Sequence, residues 1–237
     1  IFLCLAFLTF ICILLIITFI PKWQSKSIDN KHLNESKLST VWKNPLFKSL
    51  VPMGFFSYGG LFAIQTLWAG PWMIRVSGYT PEESAQGLFI IYFCMLISFL
   101  VWGYFVPKFS KNVNDAIRLL KIGAPINLFV LIIIIYLGPK AGFIHWALFI
   151  VSSIFLSLTQ PAVGMAFSLS NAGKALTSFN LLIFIGAFFI QWIIGLIIDA
   201  GIAFNLSEID SFKLAMTFVL ITSLLSYLFF LRKVKIN

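Results

Sequence analysis

The chain has 237 residues, 60% of them hydrophobic and 11% charged, with a mean hydropathy of +0.99. Water-soluble domains carry about 25% charged residues, so this composition excludes a water-soluble fold. A formal net charge of +9 would suggest nucleic acid in a soluble protein. Here the cations sit in short connections between apolar runs, where they set orientation and meet anionic headgroups, and no nucleic-acid partner is expected.

Seven stretches are long enough to cross a bilayer core of about 30 Å, which takes roughly 20 apolar residues in helical form. Helices suit lipid because they satisfy their own backbone hydrogen bonds. The first, Phe2 to Ile20, begins inside an apolar run with no initiator Met. It lacks a basic leading region and a small-residue cleavage site, and lysines follow it directly, so it reads as a spanning helix of a truncated protein rather than a signal peptide. Residues 21–49 form a polar, lysine-rich loop expected on the cytoplasmic side. A short interfacial helix is predicted around Val41 to Phe47, with Trp42 and Phe47 resting on the headgroups. Six further spans follow over residues 50–231: Leu50 to Trp72, Leu88 to Val106, Leu119 to Leu137, Trp146 to Phe167, Leu176 to Ile198 and Leu214 to Leu231. Residues 232–237 are a cytoplasmic tail. The fold class is all-α, a polytopic transmembrane helical bundle.

Fourteen of the lysines and arginines lie in residues 21–49, in the connections after the third and fifth spans, and in the tail. Only Arg75, Lys140 and Lys213 occupy the intervening connections, which hold Glu82, Glu83, Asp199, Glu208 and Asp210. The positive-inside bias places the C-terminus in the cytoplasm and the first residue outside. A bacterial inner (plasma) membrane is the expected location. Cys4, Cys12 and Cys94 all fall within spans, are odd in number and lack metal-ligand spacing, so neither a disulfide framework nor a metal or other cofactor is expected. His32 lies in a charged loop and His145 at a span boundary. With no nucleophile and base in view, the chain is not expected to be an enzyme.

The uncharged polar residues fall in rows. Tyr58, Gln65 and Trp72 recur every seven residues, within about 40° of one another at 100° per residue. Ser153, Ser157, Gln160 and Gly164 align in the fifth span, and Asn180, Ala187 and Gln191 in the sixth. The first span and the fourth, with its Leu131 to Ile135 aliphatic run, look lipid-facing. Serines and glycines at such spacing also serve as packing contacts between membrane helices. Primary amides are costlier to leave dry, since each has four hydrogen-bonding sites. Pro71, Pro125 and Pro161 loosen turns inside or beside spans.

The six later spans start at offsets of 96, 88 and 95 residues, from 50 to 146, 88 to 176 and 119 to 214. This suggests an internal three-plus-three repeat whose second half is inverted, a common plan for secondary transporters. With Gly59-Gly60 and Trp68-Ala-Gly-Pro-Trp72 in the second span, the chain resembles the C-terminal half of a major facilitator superfamily transporter. Further carriers of the likeness are Ala172-Gly-Lys-Ala175 and Phe184, Gly186, Trp192, Gly195 and Asp199 in the sixth span. The resemblance covers all 237 residues. Its basic loop motif is incomplete here, since Gly103 is followed by Pro107, Lys108, Lys111 and Asn112 without an Asp-Arg pair.

The resemblance implies a carrier of a small solute that alternates access by rocking against an absent N-terminal half, its natural partner alongside the lipid bilayer. Solute would be held by Gln65, Gln160, Asn180 and Gln191, with Tyr58 and Trp68 as aromatic walls. Trp72, Arg75, Gly103, Pro161, Gly186, Gly195 and Asp199 are expected in gating or packing. The alternative is a membrane scaffold or sensor in which the polar rows are simply packed.

Overall fold

The computed structural model describes residues 2–19 and 38–234. The expected loop over residues 21–37, with His32, and the last three residues of the tail lie outside the described residues. Seven helices are long and apolar enough to cross a membrane, and no strand occurs among the described residues. The chain is an integral membrane protein. Two units are described separately. The first contains helix α1, Phe2–Phe19, whose side chains are all exposed within the unit. The second, Leu38–Asn237, contains a short helix α2 (Leu38–Lys43) and six spans: α3 (Pro45–Arg75), α4 (Pro81–Phe109), α5 (Val113–Leu137), α6 (Phe143–Met165), α7 (Leu169–Ala203) and α8 (Glu208–Lys233).

The spans are longer than their apolar runs because polar caps extend them. Asn44 Oδ1 accepts from the Leu46 and Phe47 amides at 2.9 and 3.1 Å, with Pro45 in the first turn of α3. Thr80 and Glu83 form a reciprocal capping box at the start of α4, Asn112 caps α5 through the Asp115 amide, and Ser207 caps α8 through the Asp210 amide. Each such oxygen satisfies amides that a helix start leaves open. Gly138, at φ 55°, ends α5 in a conformation that side chains resist. The 35 residues of α7 make about 52 Å of helix, well beyond the bilayer core.

Two features depart from the sequence reading of α2 and α3. The short helix expected around Val41 to Phe47 is instead two pieces, α2 over Leu38–Lys43 and the first turn of α3 from Pro45. Phe47 is fully buried, edge-on to Phe167 and Phe179 at 6.3 and 6.1 Å, while Trp42 is exposed. Phe47 faces inward because it lies in the first turn of α3, directly over α6 and α7.

Within α3 the pitch changes twice. Met53–Tyr58 and Ile64–Trp68 are π-helical, separated by α-helical Gly59–Ala63. Pro52, which has no amide hydrogen to give, immediately precedes the first wide segment. In π-helix the bonds run to the fifth residue rather than the fourth, so a projection at 100° per residue fails across α3. In α6, residues Ser153–Leu158 are 3-10 helical, just before Pro161. There Ser153 and Ser157 donate back to the Ile150 and Ile154 carbonyls, both at 2.6 Å, rather than across to another helix.

Packing between spans follows small residues, as it must in lipid, where tails are as apolar as leucine and close backbone approach decides association. α3 and α7 cross where Gly59 meets Gly186. A Cβ on Gly59 would stand 2.8 Å from the Ala187 nitrogen, and one on Gly186 would collide with the Phe55 carbonyl oxygen. α5 meets α6 where Gly123 accommodates Phe155. Gly103 and Gly173 differ, since a Cβ on either meets nothing within 4 Å, and neither packs against another span among the described residues. The outward faces carry large apolar side chains, among them Phe89, Phe93 and Leu100 on α4 and Phe184, Phe188 and Trp192 on α7. Such surfaces belong against lipid or another protein surface.

Leu131 is buried, with 2% of its surface exposed, against 47% for Ile132. α5 is thus not the purely lipid-facing helix its aliphatic run suggests, because that run wraps the helix and one edge of it faces α6. The same helix buries Asn127.

A branched side chain at the α3–α7 crossing should force the backbones apart. Gly186→Val should lower unfolding stability in detergent by about 1–3 kcal/mol, as overpacking does in other interiors. Gly103→Ala, on an open helix surface, should leave the thermal midpoint unchanged or raise it. Equal midpoints for Gly186→Val and the parent chain would contradict the crossing.

Candidate functional site

The polar side chains within the spans form pairs along α7. Asn180 and Gln191 are 11 residues apart on an uninterrupted helix, hence about 16 Å along its axis and within about 20° of one face. Gln160 of α6 donates through Nε2 to Asn180 Oδ1 at 2.8 Å. Gln191 donates through Nε2 to Thr66 Oγ1 of α3, also at 2.8 Å. The indole of Trp68 donates to the Gln191 carbonyl oxygen at 3.2 Å. α7 therefore presents two amide stations, one reaching toward α6 and one toward α3.

These stations are not sealed. Gln160, Asn180 and Gln191 are half-buried and Thr66 is exposed. Thr66 lies nine residues, or about 14 Å of helix, before the end of α3. An exposed hydrogen-bonded pair at that depth faces hydrocarbon unless water, a solute or another protein surface covers it.

The pairing of α3 residues differs from the sequence reading. Tyr58, Gln65 and Trp72 are all buried, covered by their own bundle rather than turned to an open surface. Tyr58 lies against Phe62, with ring centres 5.4 Å apart. Gln65 sits in the second π segment, where its carbonyl oxygen accepts from Tyr92 Oη of α4 at 2.6 Å. Trp72 is a fully buried core residue. It packs edge-on against Trp146 and Phe212 at 5.6 and 6.4 Å, and its indole donates to the Ala141 carbonyl at 3.3 Å.

A second feature lies at the acidic ends of α3, α7 and α8. A cleft of about 760 Å³ opens between them, lined by Trp68, Arg75, Gly195, Asp199, Glu208 and Phe212 together with proline and isoleucine side chains. Arg75 Nη1 stands 3.6 Å from Glu208 Oε1, both side chains being largely in solvent, so the pair itself adds little stability. Gly195 packs beside the Trp68 ring, where a Cβ would stand 3.5 Å from the indole in ordinary contact. The structure thus brings Trp68, Arg75, Gly195 and Asp199 into one place, which their scattered sequence positions do not suggest. Pro161 is exposed on α6 beyond the 3-10 stretch, apart from the cleft's lining, and Gly186 serves the α3–α7 crossing.

Among the described residues no group of three or more His, Cys, Asp or Glu side chains could hold a metal ion. Thr66, Asn127, Tyr92, Glu208 and Phe212 are contributors that the sequence reading left out. The amide within the apolar run of α5 was readable: Asn127 Nδ2 donates to the Phe149 carbonyl at 2.8 Å and to Ser152 Oγ at 3.0 Å, tying α5 to α6. Comparison with family models, curated proteins and solved structures returned no match for the chain.

The Thr66–Gln191 bond can be weighed by a double-mutant cycle of Thr66→Val and Gln191→Leu, read by unfolding in detergent. A coupling of about 0.6 kcal/mol is expected, the average for side-chain hydrogen bonds between membrane helices. Strict additivity would mean that the two side chains do not support one another.

Proposed function

We propose that the chain is the C-terminal half of a secondary carrier of the major facilitator type, moving a small polar solute by alternating access. The observation that carries this reading is the row of half-open amides on α7, paired at two depths with Gln160 and Thr66. Uncharged donors and acceptors on a membrane face favour a solute with hydroxyl, amide or aromatic groups, and Trp68 beside Gln191 offers an aromatic wall. The helix starts add support. Pro45 to Phe143, Pro81 to Leu169 and Val113 to Glu208 are offsets of 98, 88 and 95, as an inverted three-plus-three repeat would produce. So do the interrupted helices α3 and α6, since irregular backbone at membrane depth is tolerated where it lines a cavity or is buried in protein.

On this reading the basic helix ends face the cytoplasm of a bacterial cell and the cleft lies outside. Helix α1 is the sixth helix of the carrier, and the partner of the exposed amide face is the N-terminal half. The competing reading, a packed scaffold or sensor, draws on the fact that the amides already satisfy one another.

In the full-length carrier, Gln160→Leu or Gln191→Leu should reduce solute uptake by roughly 5- to 100-fold, the worth of one lost or unpaired hydrogen bond. Membrane levels should hold. Ile132→Ala, on the exposed side of α5, serves as the control and should transport normally. Normal uptake by both glutamine variants at normal protein levels would favour the scaffold.

A further inference from the structure

The cleft at the ends of α3, α7 and α8 has a chemistry of its own. Three ionisable groups line it, Arg75, Asp199 and Glu208. Arg75 is engaged by Glu208 at 3.6 Å. Asp199 has no ion pair and no side-chain hydrogen bond among the described residues, so one carboxylate is left over. Its position compounds the imbalance. Asp199 lies four residues before the end of α7, where the helix dipole already presents partial negative charge and favours a cation. The C-terminal end of α3 reaches the same cleft through Arg75, adding a second negative dipole end against the single positive end of α8.

Beside this charge stands an aromatic wall. The Trp68 indole is held by its bond to the Gln191 carbonyl at 3.2 Å, and Phe212 meets it edge-on at 6.0 Å. Gly195 of α7 lies against the same ring, where a Cβ would stand 3.5 Å from the indole. A fixed indole is the strongest of the aromatic partners for a cation, especially one that sheds water easily. The remaining lining is apolar, from Pro71, Ile74, Ile198 and Ile202. The volume, about 760 Å³, is that of a small-molecule site.

We propose that this cleft binds a monovalent organic cation carrying an apolar or aromatic body. Its cationic group pairs with Asp199, and its body lies between Trp68 and the isoleucines. The cleft shares Trp68 with the Gln191 station on α7 but takes its charge from Asp199, so the proposal holds whether or not the chain belongs to a carrier.

The test is equilibrium binding to the detergent-purified full chain at low salt, using benzyltrimethylammonium as the probe, with benzyl alcohol and phenylacetate as neutral and anionic counterparts. The cation should bind, and the other two should bind at least about tenfold more weakly. Asp199→Asn should weaken the cation by about tenfold, while Asp199→Glu restores it. Arg75→Gln, which removes the one positive group and frees Glu208, should strengthen it several-fold, so the two charge variants move in opposite directions. Trp68→Leu should weaken the cation more than it weakens benzyl alcohol, because only the cation gains from the ring's quadrupole. No saturable binding of the ammonium, equal binding of phenylacetate, or no response to Asp199→Asn would each overturn the proposal. Loss of uptake in the Gln160 or Gln191 variants would leave it untouched.

Discussion

The crossing of α3 and α7 is the constraint on which the rest of the bundle depends. In water these helices would be driven together by burying apolar surface, but lipid removes that drive and leaves van der Waals contact and a few hydrogen bonds. Contact of that kind needs backbones to approach, and Gly59 against Gly186 permits it. With the two axes fixed there, Gln191 and Thr66 fall within hydrogen-bonding distance, and the Trp68 indole reaches the Gln191 carbonyl. The cleft beyond, with α3 on one side and Asp199 on the other, is a consequence of the same close approach.

The π segments of α3 alter which of its atoms can meet neighbours. A widened turn swings carbonyl oxygens off the helix axis, and in lipid every such oxygen needs a donor. Donors come from other helices. Tyr92 of α4 reaches the Gln65 carbonyl at 2.6 Å, and Ser223 of α8 reaches the Phe56 carbonyl at 3.4 Å. Ser57 and Ser226 bond one another at 2.8 Å. α3 is thereby joined to three helices, by glycine contact on the α7 side and by hydroxyls on the others.

Much of this was legible from the sequence, for reasons that explain what was not. The count and order of spans were readable because apolar length is a local property, and the amide row of α7 was readable because that helix is regular. Asn180 and Gln191 share a face as the 100° rule requires. The same rule applied to α3 placed Tyr58, Gln65 and Trp72 on one face. Two pitch changes intervene between them, all three are buried, and nothing in the residues Met53 to Trp68 beyond Pro52 announces this. Phe47 was read as interfacial and Leu131 as lipid-facing for a related reason: an apolar residue in a membrane protein satisfies either lipid or core, and hydropathy does not distinguish them. The cleft was illegible because its charges come from the ends of three helices, Arg75 lying more than a hundred residues before Asp199 and Glu208 in the chain.

The distribution of rigid and yielding contacts along the bundle is uneven. At the basic end Phe47, Phe167 and Phe179 interlock α3, the connection after α6, and α7, and at the acidic end Trp72, Trp146 and Phe212 do the same for α3, α6 and α8. Edge-to-face aromatic pairs hold both position and angle, each worth about 0.5–1.5 kcal/mol beyond the area buried. Between these ends lie the π turns of α3, the 3-10 turn of α6 and bonds from hydroxyls to backbone, which are individually weaker and can exchange partners. A helix pair fixed at its ends and irregular in its middle concentrates any bend there. That middle is where Gln160 meets Asn180 and Gln191 meets Thr66. Each amide pair has one member in or just beside an irregular segment, Thr66 within a π turn and Gln160 just after the 3-10 turn, where a small change of pitch in α3 or α6 would separate Thr66 from Gln191 or Gln160 from Asn180. The freed amides would then need water, a solute or a new protein partner.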